Sequence, residues 1–259
     1  MQCNGRDGTM TPPAVTAIIQ TRMGSTRLPG KALLPLAGRP LTAHVIERTM
    51  RIAGVGQTVI ATTTGAEDRP LMELAREMGC AAFAGSVHDV LERYYLAWRE
   101  FGGDIIVRVT GDNPFTDVAY NSQAVAFAIE TGADLCSVAG IPLGTAVEIF
   151  TADALARAYE ESAEPHQREH VSPFIKEHPE RFRIARKRIS IDNPYPDLRL
   201  TIDTPEDFEL ARSLYEALYR DGPFPLEAVI TEIARRPELA ALNAGITQRA
   251  MTHSEHGTR

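Results

Sequence analysis

Cysteine is scarce in this sequence, and the few cysteines present lie far apart. The three, Cys3, Cys80 and Cys136, are odd in number and show none of the short spacings of a cysteine-bound metal site. So sparse a set gives no disulfide framework to a chain of 259 residues and is typical of a reducing compartment. We therefore expect a cytoplasmic protein that is stabilised by its hydrophobic core.

Long hydrophobic runs and an excess of positive charge are also missing. No apolar run reaches the ~20 residues of a membrane span, and the polar start, MQCNGRDGTMTPP, lacks the hydrophobic segment of a secretory signal. The formal net charge is -7, which argues against a general nucleic-acid or membrane-surface binder. We expect no nucleic acid and no membrane among the partners, so a local basic cluster should bind a small anion.

Internal repeats and low-complexity stretches are absent too, and 44% of the residues are hydrophobic. A chain of this length could form one large α/β domain or two small ones, and we predict a single domain over residues 14–247. Residues 1–13 and 248–259 are polar and are predicted to be disordered extensions, so either Met1 or Met10 is a candidate start.

Short β-rich runs alternate with segments of helical spacing in the first half of the chain. The runs lie at 15–20, 57–63, 104–110 and 133–139. This alternation predicts a mostly parallel central sheet with helices on both faces and ligands at the carboxyl ends of its strands.

The regular alternation of strand and helix patterns ends after residue 140. Residues of about 141–197 are predicted to form a small inserted lobe over the ligand cleft. Strands are expected at 146–150 and 182–189, and helices at 151–162 and 169–178. A further strand is predicted at 198–203, followed by a helix with a capping box at Thr204 and Asp207 and by an amphipathic helix at 225–236.

The loop after the first run carries three cations, Arg22, Arg27 and Lys31, among small residues. Gly24 and Gly30 would permit turns that a side chain would forbid, and these turns would bring backbone amides close to phosphate oxygens. This layout predicts a polyphosphate cradle, although an ordinary connection with solvated basic residues fits such a loop about equally well.

The nearest known phosphate motif does not fit this loop. Five residues separate the glycines where the Walker A motif has four, and Ala32 stands where a Ser or Thr must bind Mg²⁺. The P-loop NTPases are therefore excluded.

Two carboxylates follow predicted strands, Asp112 in Thr-Gly-Asp-Asn-Pro and Asp203 at the end of 198–203. Mg²⁺ at phosphate sites is commonly held by one or two carboxylates together with substrate oxygens. Each aspartate alone fits a turn or capping role better, but the pair beside a phosphate loop favours a metal site. Asn113 is a turn former or a nucleotide contact.

Six segments in this order closely resemble the cytidylyltransferase family that includes the spore-coat polysaccharide protein F group and the CMP-KDO and CMP-sialate synthetases. The resemblance covers roughly residues 15–218. Its motifs are IIQTRMGSTRLPGKALLPLAGRPL, GSVHDVLERYY, IVRVTGDNPFTD, AVEIF, REHVSPFI and LTIDTPEDFELAR. The chain departs from the family at Asn113, where Cys is usual, and at Thr21, where Ala is usual.

The resemblance implies a glycosyltransferase-A-like nucleotidyltransferase fold, Mg²⁺ as cofactor and a homodimer. It implies that CTP and a small anionic acceptor, such as a sugar acid, sugar phosphate or phosphonate, give a CMP-conjugate and pyrophosphate. A nucleotidyltransferase using GTP or UTP, and a glycosyltransferase-like sugar-nucleotide binder, are the alternatives.

The resemblance also assigns roles to particular residues of this sequence. The catalytic set is Lys31, Arg22 and Asp112, and the metal ligands are Asp112 and Asp203. The expected nucleotide contacts are Gln20, Arg22, Gly24, Ser25, Arg27, Lys31, Thr62, Ser86, Asp89, Arg93, Gly111 and Asn113. The expected acceptor contacts are Glu148, Arg168 and His170, with the basic residues 186–188 adding positive charge.

Overall fold

A computed structural model describes residues 11–247, and a seven-stranded sheet forms the centre of this region. The strands are β1 Val15–Gln20, β2 Pro35–Leu36, β3 Arg39–Pro40, β4 Gln57–Thr63, β5 Ala81–Gly85, β6 Ile105–Thr110, β7 Leu135–Ala139, β8 Glu148–Thr151 and β9 Ile184–Arg188. The helices are α1 Leu41–Met50, α2 Arg69–Glu77, α3 Val90–Phe101, α4 Val118–Thr131, α5 Ala152–Glu161, α6 Pro165–His170, α7 Pro173–Glu177, α8 Pro205–Leu218, α9 Leu226–Arg235 and α10 Glu238–Ala241. The predictions on residues 1–10 and 248–259 lie outside the described region.

The strand order is β5-β4-β1-β6-β8-β7-β9, and β2 pairs with β3 in a separate small hairpin. Strand β8 is antiparallel to both of its neighbours, while the other pairs of the large sheet are parallel. The prediction of a mostly parallel sheet is therefore confirmed.

Helices cover both faces because successive residues of the central strands point to opposite sides. In β1, Ile19 packs into a core with α1, α4, α8 and α9, whereas Ile18 packs into a second core with α3, α5 and α7. Burial on both faces agrees with the composition of β1 and β6, in which most residues are apolar.

The register of the central strands sets the position of the loops that follow them. Gln20, the last residue of β1, lies beside Ala61 of β4 and Thr110 of β6. Parallel neighbours end at the same edge, so the loops after β1, β4 and β6 meet there.

The predicted strand at 198–203 is wrong. This segment forms only one isolated bridge, between Leu143 and Arg199, and donates single backbone bonds to Leu143 and Asp112. Its alternating apolar residues, Leu198, Leu200 and Ile202, are buried. The alternating pattern therefore indicated that this segment is extended and buried, but it did not indicate whether the segment pairs with a neighbouring strand.

The predicted helix at 169–178 is divided into α6 and α7, because Val171 between them has a left-handed φ of 71°. Helix α6 begins earlier than expected, at Pro165, where Glu164 and Gln167 form a capping box. Within 141–197, strands β8 and β9 belong to the central sheet and α6 borders the ligand cleft described below.

None of the helices described between residues 11 and 247 is long and apolar enough to cross a membrane.

Candidate active site

A cleft of about 850 Å³ opens at the carboxyl ends of β1 and β6. It is bounded by the loop that follows β1, by the start of α3 and by α6, with Asp112 and Asp203 in its wall. Of the residues expected from the sequence, eleven border this cleft: Gln20, Arg22, Gly24, Ser25, Arg27, Lys31, Arg93, Gly111, Asp112, His170 and Asp203.

Lys31 joins the two predicted metal carboxylates. Its Nζ donates to Asp112 Oδ2 at 3.1 Å, to Asp203 Oδ1 at 2.9 Å and to the carbonyl oxygen of Ile202 at 2.6 Å. The preceding Gly30 has a φ of 71°, so the chain needs glycine there to turn Lys31 toward the carboxylates. The convergence of Asp112 and Asp203, expected from their positions after strands, is present.

Asp203 is surrounded by positive charge. Besides Lys31, Arg27 lies 3.2 Å from its Oδ2 and Arg199 lies 2.6 Å from the same atom. Burial alone would raise the pKa of Asp203, but these cations hold it below its ordinary value. The carboxylate is therefore charged at neutral pH.

Arg199 was not identified from the sequence, although it fixes Asp203. It is buried, and its Nε also donates to Asp207 Oδ1 at 3.0 Å. Asp207 forms the predicted capping box of α8 with Thr204 and accepts a bond from the Asp203 amide at 2.9 Å. A signal was available, because an extended segment places Arg199 and Asp203 on one side.

The two glycines of the basic loop differ in their roles. Gly30 requires its left-handed conformation, as expected, but Gly24 has no positive φ and a Cβ there would meet nothing within 4 Å. The expectation that a side chain is forbidden at Gly24 is therefore wrong. Gly111 instead is sterically required, since a Cβ would lie 2.5 Å from Thr21.

Arg93 is a buried cation that borders the cleft and has two donor atoms unpartnered within the described region. Its side chain is 3% exposed, and neither Nε nor Nη1 has a hydrogen-bond partner among the described residues. Burial lowers the pKa of its guanidinium, and the nearby charge of Arg22 adds to that effect. Arg22 itself donates to the carbonyl oxygen of Val87 at 3.2 Å.

Four expected nucleotide contacts do not border the cleft. Thr62 is fully buried within β4. Ser86 and Asp89 accept bonds from the amides of Asp89 and Glu92, so both serve the start of α3. Asn113 donates to Thr110 Oγ1 at 2.6 Å and belongs to the turn after β6.

Two of the three expected acceptor contacts are likewise committed elsewhere. Glu148 is paired with Arg108 at 2.7 Å and with Lys176; burial opposes its ionisation, but these charges hold its pKa below the ordinary value. Arg168 is paired with Asp89.

His170 alone of the expected acceptor contacts borders the cleft. Burial lowers the pKa of its imidazole, so it is neutral at pH 7. His88 and Pro165, which were not identified from the sequence, also border the cleft, as does Glu169.

The two carboxylates form a partial site for a cation. Residues 11–247 contain no group of three or more His, Cys, Asp or Glu side chains able to hold a metal. However, one oxygen of Asp112 and one of Asp203 lie within 3.1 Å of a single atom, the Lys31 nitrogen. Two carboxylates completed by phosphate and water oxygens suit Mg²⁺.

A mostly parallel sheet covered on both faces, with a basic loop and paired carboxylates at its strand ends, defines this molecule as an α/β nucleotidyltransferase of the glycosyltransferase-A-like class. A solved cytidylyltransferase structure from Leptospira borgpetersenii superposes with a TM-score of 0.81 at 30% identity, covering 87% of this chain and 96% of the other.

The family model described as cytidylyltransferase matches residues 16–227. An uncharacterized protein of Methanocaldococcus jannaschii is 34% identical over 93% of this chain and 99% of its own length. The spore coat polysaccharide biosynthesis protein SpsF of Bacillus subtilis is 32% identical over 86% and 95% respectively. The chain belongs to the cytidylyltransferase family and is a nucleotidyltransferase, which confirms the resemblance.

Proposed function

We propose that this protein is a Mg²⁺-dependent cytidylyltransferase that joins CMP from CTP to a small anionic acceptor and releases pyrophosphate. The observation that carries the proposal is the Lys31 ammonium held between Asp112 and Asp203 in the wall of a cleft that also carries Arg22 and Arg27. The cleft, at about 850 Å³, lies within the usual size range of small-molecule sites.

The cations of the loop are suited to a triphosphate. Arg22 forms no ion pair within residues 11–247, so its charge is available to a phosphate. Arg27 and Lys31 contact Asp203 now, and their flexible stems let them turn toward phosphate oxygens. Asp112 and Asp203 would hold Mg²⁺, which supplies further neutralisation of phosphate charge.

The transfer requires positioning more than covalent chemistry by the protein. An acceptor oxygen attacks the α-phosphorus, and the new P–O bond forms as the bond to the bridging oxygen breaks and pyrophosphate leaves. Any acceptor proton passes to solvent. Lys31 and Arg22 would keep the phosphate chain in line and stabilise charge on the departing oxygens.

Arg93 supports CTP as the nucleotide. Its unpartnered N–H groups need acceptor atoms, and the pairing edge of cytosine offers acceptors at O2 and N3. Uracil and guanine instead carry an N–H donor at the corresponding ring position, which a guanidinium disfavours.

The acceptor is proposed to be a sugar acid, sugar phosphate or phosphonate. The similarity to a spore coat polysaccharide protein supports a polysaccharide precursor. Arg168 is paired with Asp89, and residues 186–188 lie on β9, four strands beyond β1, so His170 and Arg22 are the better candidates to contact the anion. A homodimer and a cytoplasmic location stay predictions.

Calorimetric titration of CTP, UTP, GTP and ATP with Mg²⁺ tests the proposal. We expect CTP to bind best and the Asp112→Asn variant to lose the Mg²⁺-dependent part of that affinity. Preference for another nucleotide would contradict the assignment of the base. Pyrophosphate release with a panel of anionic sugars separates a nucleotidyltransferase from a glycosyltransferase, which releases none.

A further inference from the structure

Lys31 occupies the position that a cation between Asp112 and Asp203 would take. Its ammonium is bonded to one oxygen of each carboxylate and to the Ile202 carbonyl, at 2.6 to 3.1 Å. We propose that Lys31 is a resident counter-cation that keeps the divalent metal out until a nucleotide draws the lysine onto its phosphates. This inference rests on the proposed function and adds an order of binding to it.

The contact geometry makes the two cations competitors. The three oxygens that bond the ammonium converge on one point, and a divalent ion shared by Asp112 and Asp203 needs two of them. The side chains of Lys31, Asp203 and Asp112 are 14%, 15% and 27% exposed, so water would only partly screen a second cation at this point.

The charge balance leads to the same order. Lys31, Arg27 and Arg199 carry three positive charges around Asp203, and Asp112, Asp203 and Asp207 carry three negative ones. The nucleotide-free cluster is therefore neutral. A divalent ion arriving alone would leave it with two excess positive charges, whereas a triphosphate brings the opposing charge with it.

Of the three cations, Lys31 is the one that can change partners. Arg199 is buried and bonded to both Asp203 and Asp207, and Arg27 contacts only Oδ2 of Asp203, the oxygen that Lys31 does not bond. Lys31 is a point charge on a flexible stem and lies at the end of the basic loop, where a short helical turn begins. Its movement toward phosphate would release an oxygen of each carboxylate at once.

Mn²⁺ binding, followed by electron paramagnetic resonance with and without CTP, tests the order directly. Mn²⁺ takes the same oxygen ligands as Mg²⁺ and needs no turnover to be counted. We expect the wild type to bind Mn²⁺ weakly alone and at least about tenfold more tightly with CTP. Lys31→Met should bind Mn²⁺ alone at least about tenfold more tightly than the wild type does.

Arg27→Met is the matched control, because it removes one positive charge beside the same carboxylate but leaves Lys31 between the two. It should tighten Mn²⁺ binding clearly less than Lys31→Met does. Lys31→Gln is the second lysine variant, and the thermal unfolding temperature establishes that each variant is folded.

Three outcomes would overturn the inference: tight Mn²⁺ binding by the nucleotide-free wild type, unchanged binding in both lysine variants, or equal tightening by the Arg27 and Lys31 variants. The first and third would leave the proposed function intact, since the carboxylates would still bind the ion. Absence of Mn²⁺ binding in every variant, even with CTP bound, would remove the metal site from the proposed function as well.

Discussion

Arg168 of α6 and Asp89 at the start of α3 form a partly buried ion pair. Nε and Nη2 of the guanidinium lie 2.7 and 2.6 Å from the same carboxylate oxygen of Asp89. The other carboxylate oxygen of Asp89 caps α3 through the Glu92 amide. Two residues expected to contact different substrates thus bind each other, and their pairing places α6, with Glu169 and His170, beside the cleft.

Removing this pair should destabilise the fold. We expect Arg168→Ala to lower the free energy of unfolding by about 1 to 3 kcal/mol, because charge-assisted bonds to Asp89 and to the Tyr159 carbonyl are lost. Urea unfolding of Arg168→Ala, Asp89→Asn and the double variant measures the coupling. If the losses in the two single variants add up to the loss in the double variant, the ion pair has no coupling energy and the prediction is wrong. Arg212→Ala, in an exposed pair with Glu209, is the control and should change little.

The sequence predicted the sheet well because its central strands are buried on both faces. Strands β1 and β6 are mostly apolar, and β4 combines apolar residues with threonine, a composition typical of buried strands. The segment at 198–203 is an exception. It has alternating apolar residues and is extended, but it is largely unpaired with any strand. A local sequence pattern indicates which side of a segment is buried, but it does not indicate whether a neighbouring strand is there to pair with it.

The site was predictable where residues follow strands and less so where helices meet. Asp112 and Lys31 are placed by strand ends and by a loop glycine, features that motifs record. The pairing of Arg168 with Asp89 depends on how α6 packs on α3, which joins residues 79 positions apart. A local sequence pattern does not show which distant residues are in contact. The sequence therefore could not distinguish a ligand-binding role of Arg168 and Asp89 from a structural one.

Asp207 should act on catalysis through Asp203. It holds both the Asp203 amide and Arg199, and the latter contacts the Asp203 carboxylate. We expect Asp207→Asn to lower kcat about 10- to 100-fold, as loss of a ligand's supporting partner typically does, while CTP affinity without metal stays unchanged. Glu206→Gln removes the same charge from the exposed side of the same turn and is the control. An equal loss in both variants would indicate a general effect of charge.

His44 should make the protein sensitive to acid. It lies buried against Tyr215 and Tyr219, and burial lowers its pKa to about 4, with the charges of Arg39 and Arg48 adding to the effect. The unfolded chain, with an ordinary pKa of 6.5, binds a proton more readily, so stability is lost as pH falls from 6.5 toward 4.

The measurement is the free energy of unfolding at pH 7 and pH 4.5 for the wild type and His44→Gln. Glutamine does not titrate and retains a donor for the Leu36 carbonyl. We expect the wild type to lose roughly 2 kcal/mol more than the variant over this range. Parallel losses in the two proteins would assign the acid sensitivity to carboxylates instead.

Arg93 should lower the stability of the ligand-free protein and contribute favourably only when a ligand is bound. It is a buried charge with two donor nitrogens that lack a partner among residues 11–247, and such groups destabilise a fold by about 1 to 3 kcal/mol each when unsatisfied. Arg93→Met keeps most of the stem and removes the charge. We expect this variant to be at least as stable as the wild type in urea unfolding.

The same substitution should weaken nucleotide binding. Calorimetry should show CTP affinity reduced by at least about tenfold, because charge-assisted bonds to the ligand are lost. Gains in stability and losses in affinity together identify a side chain that the fold tolerates for the sake of its ligand. A variant that unfolds more easily but binds CTP normally would instead make Arg93 a structural residue, with partners that form only through rearrangement of the start of α3. Arg99→Met, on the exposed last turn of α3, provides the control for charge removal and should alter neither quantity.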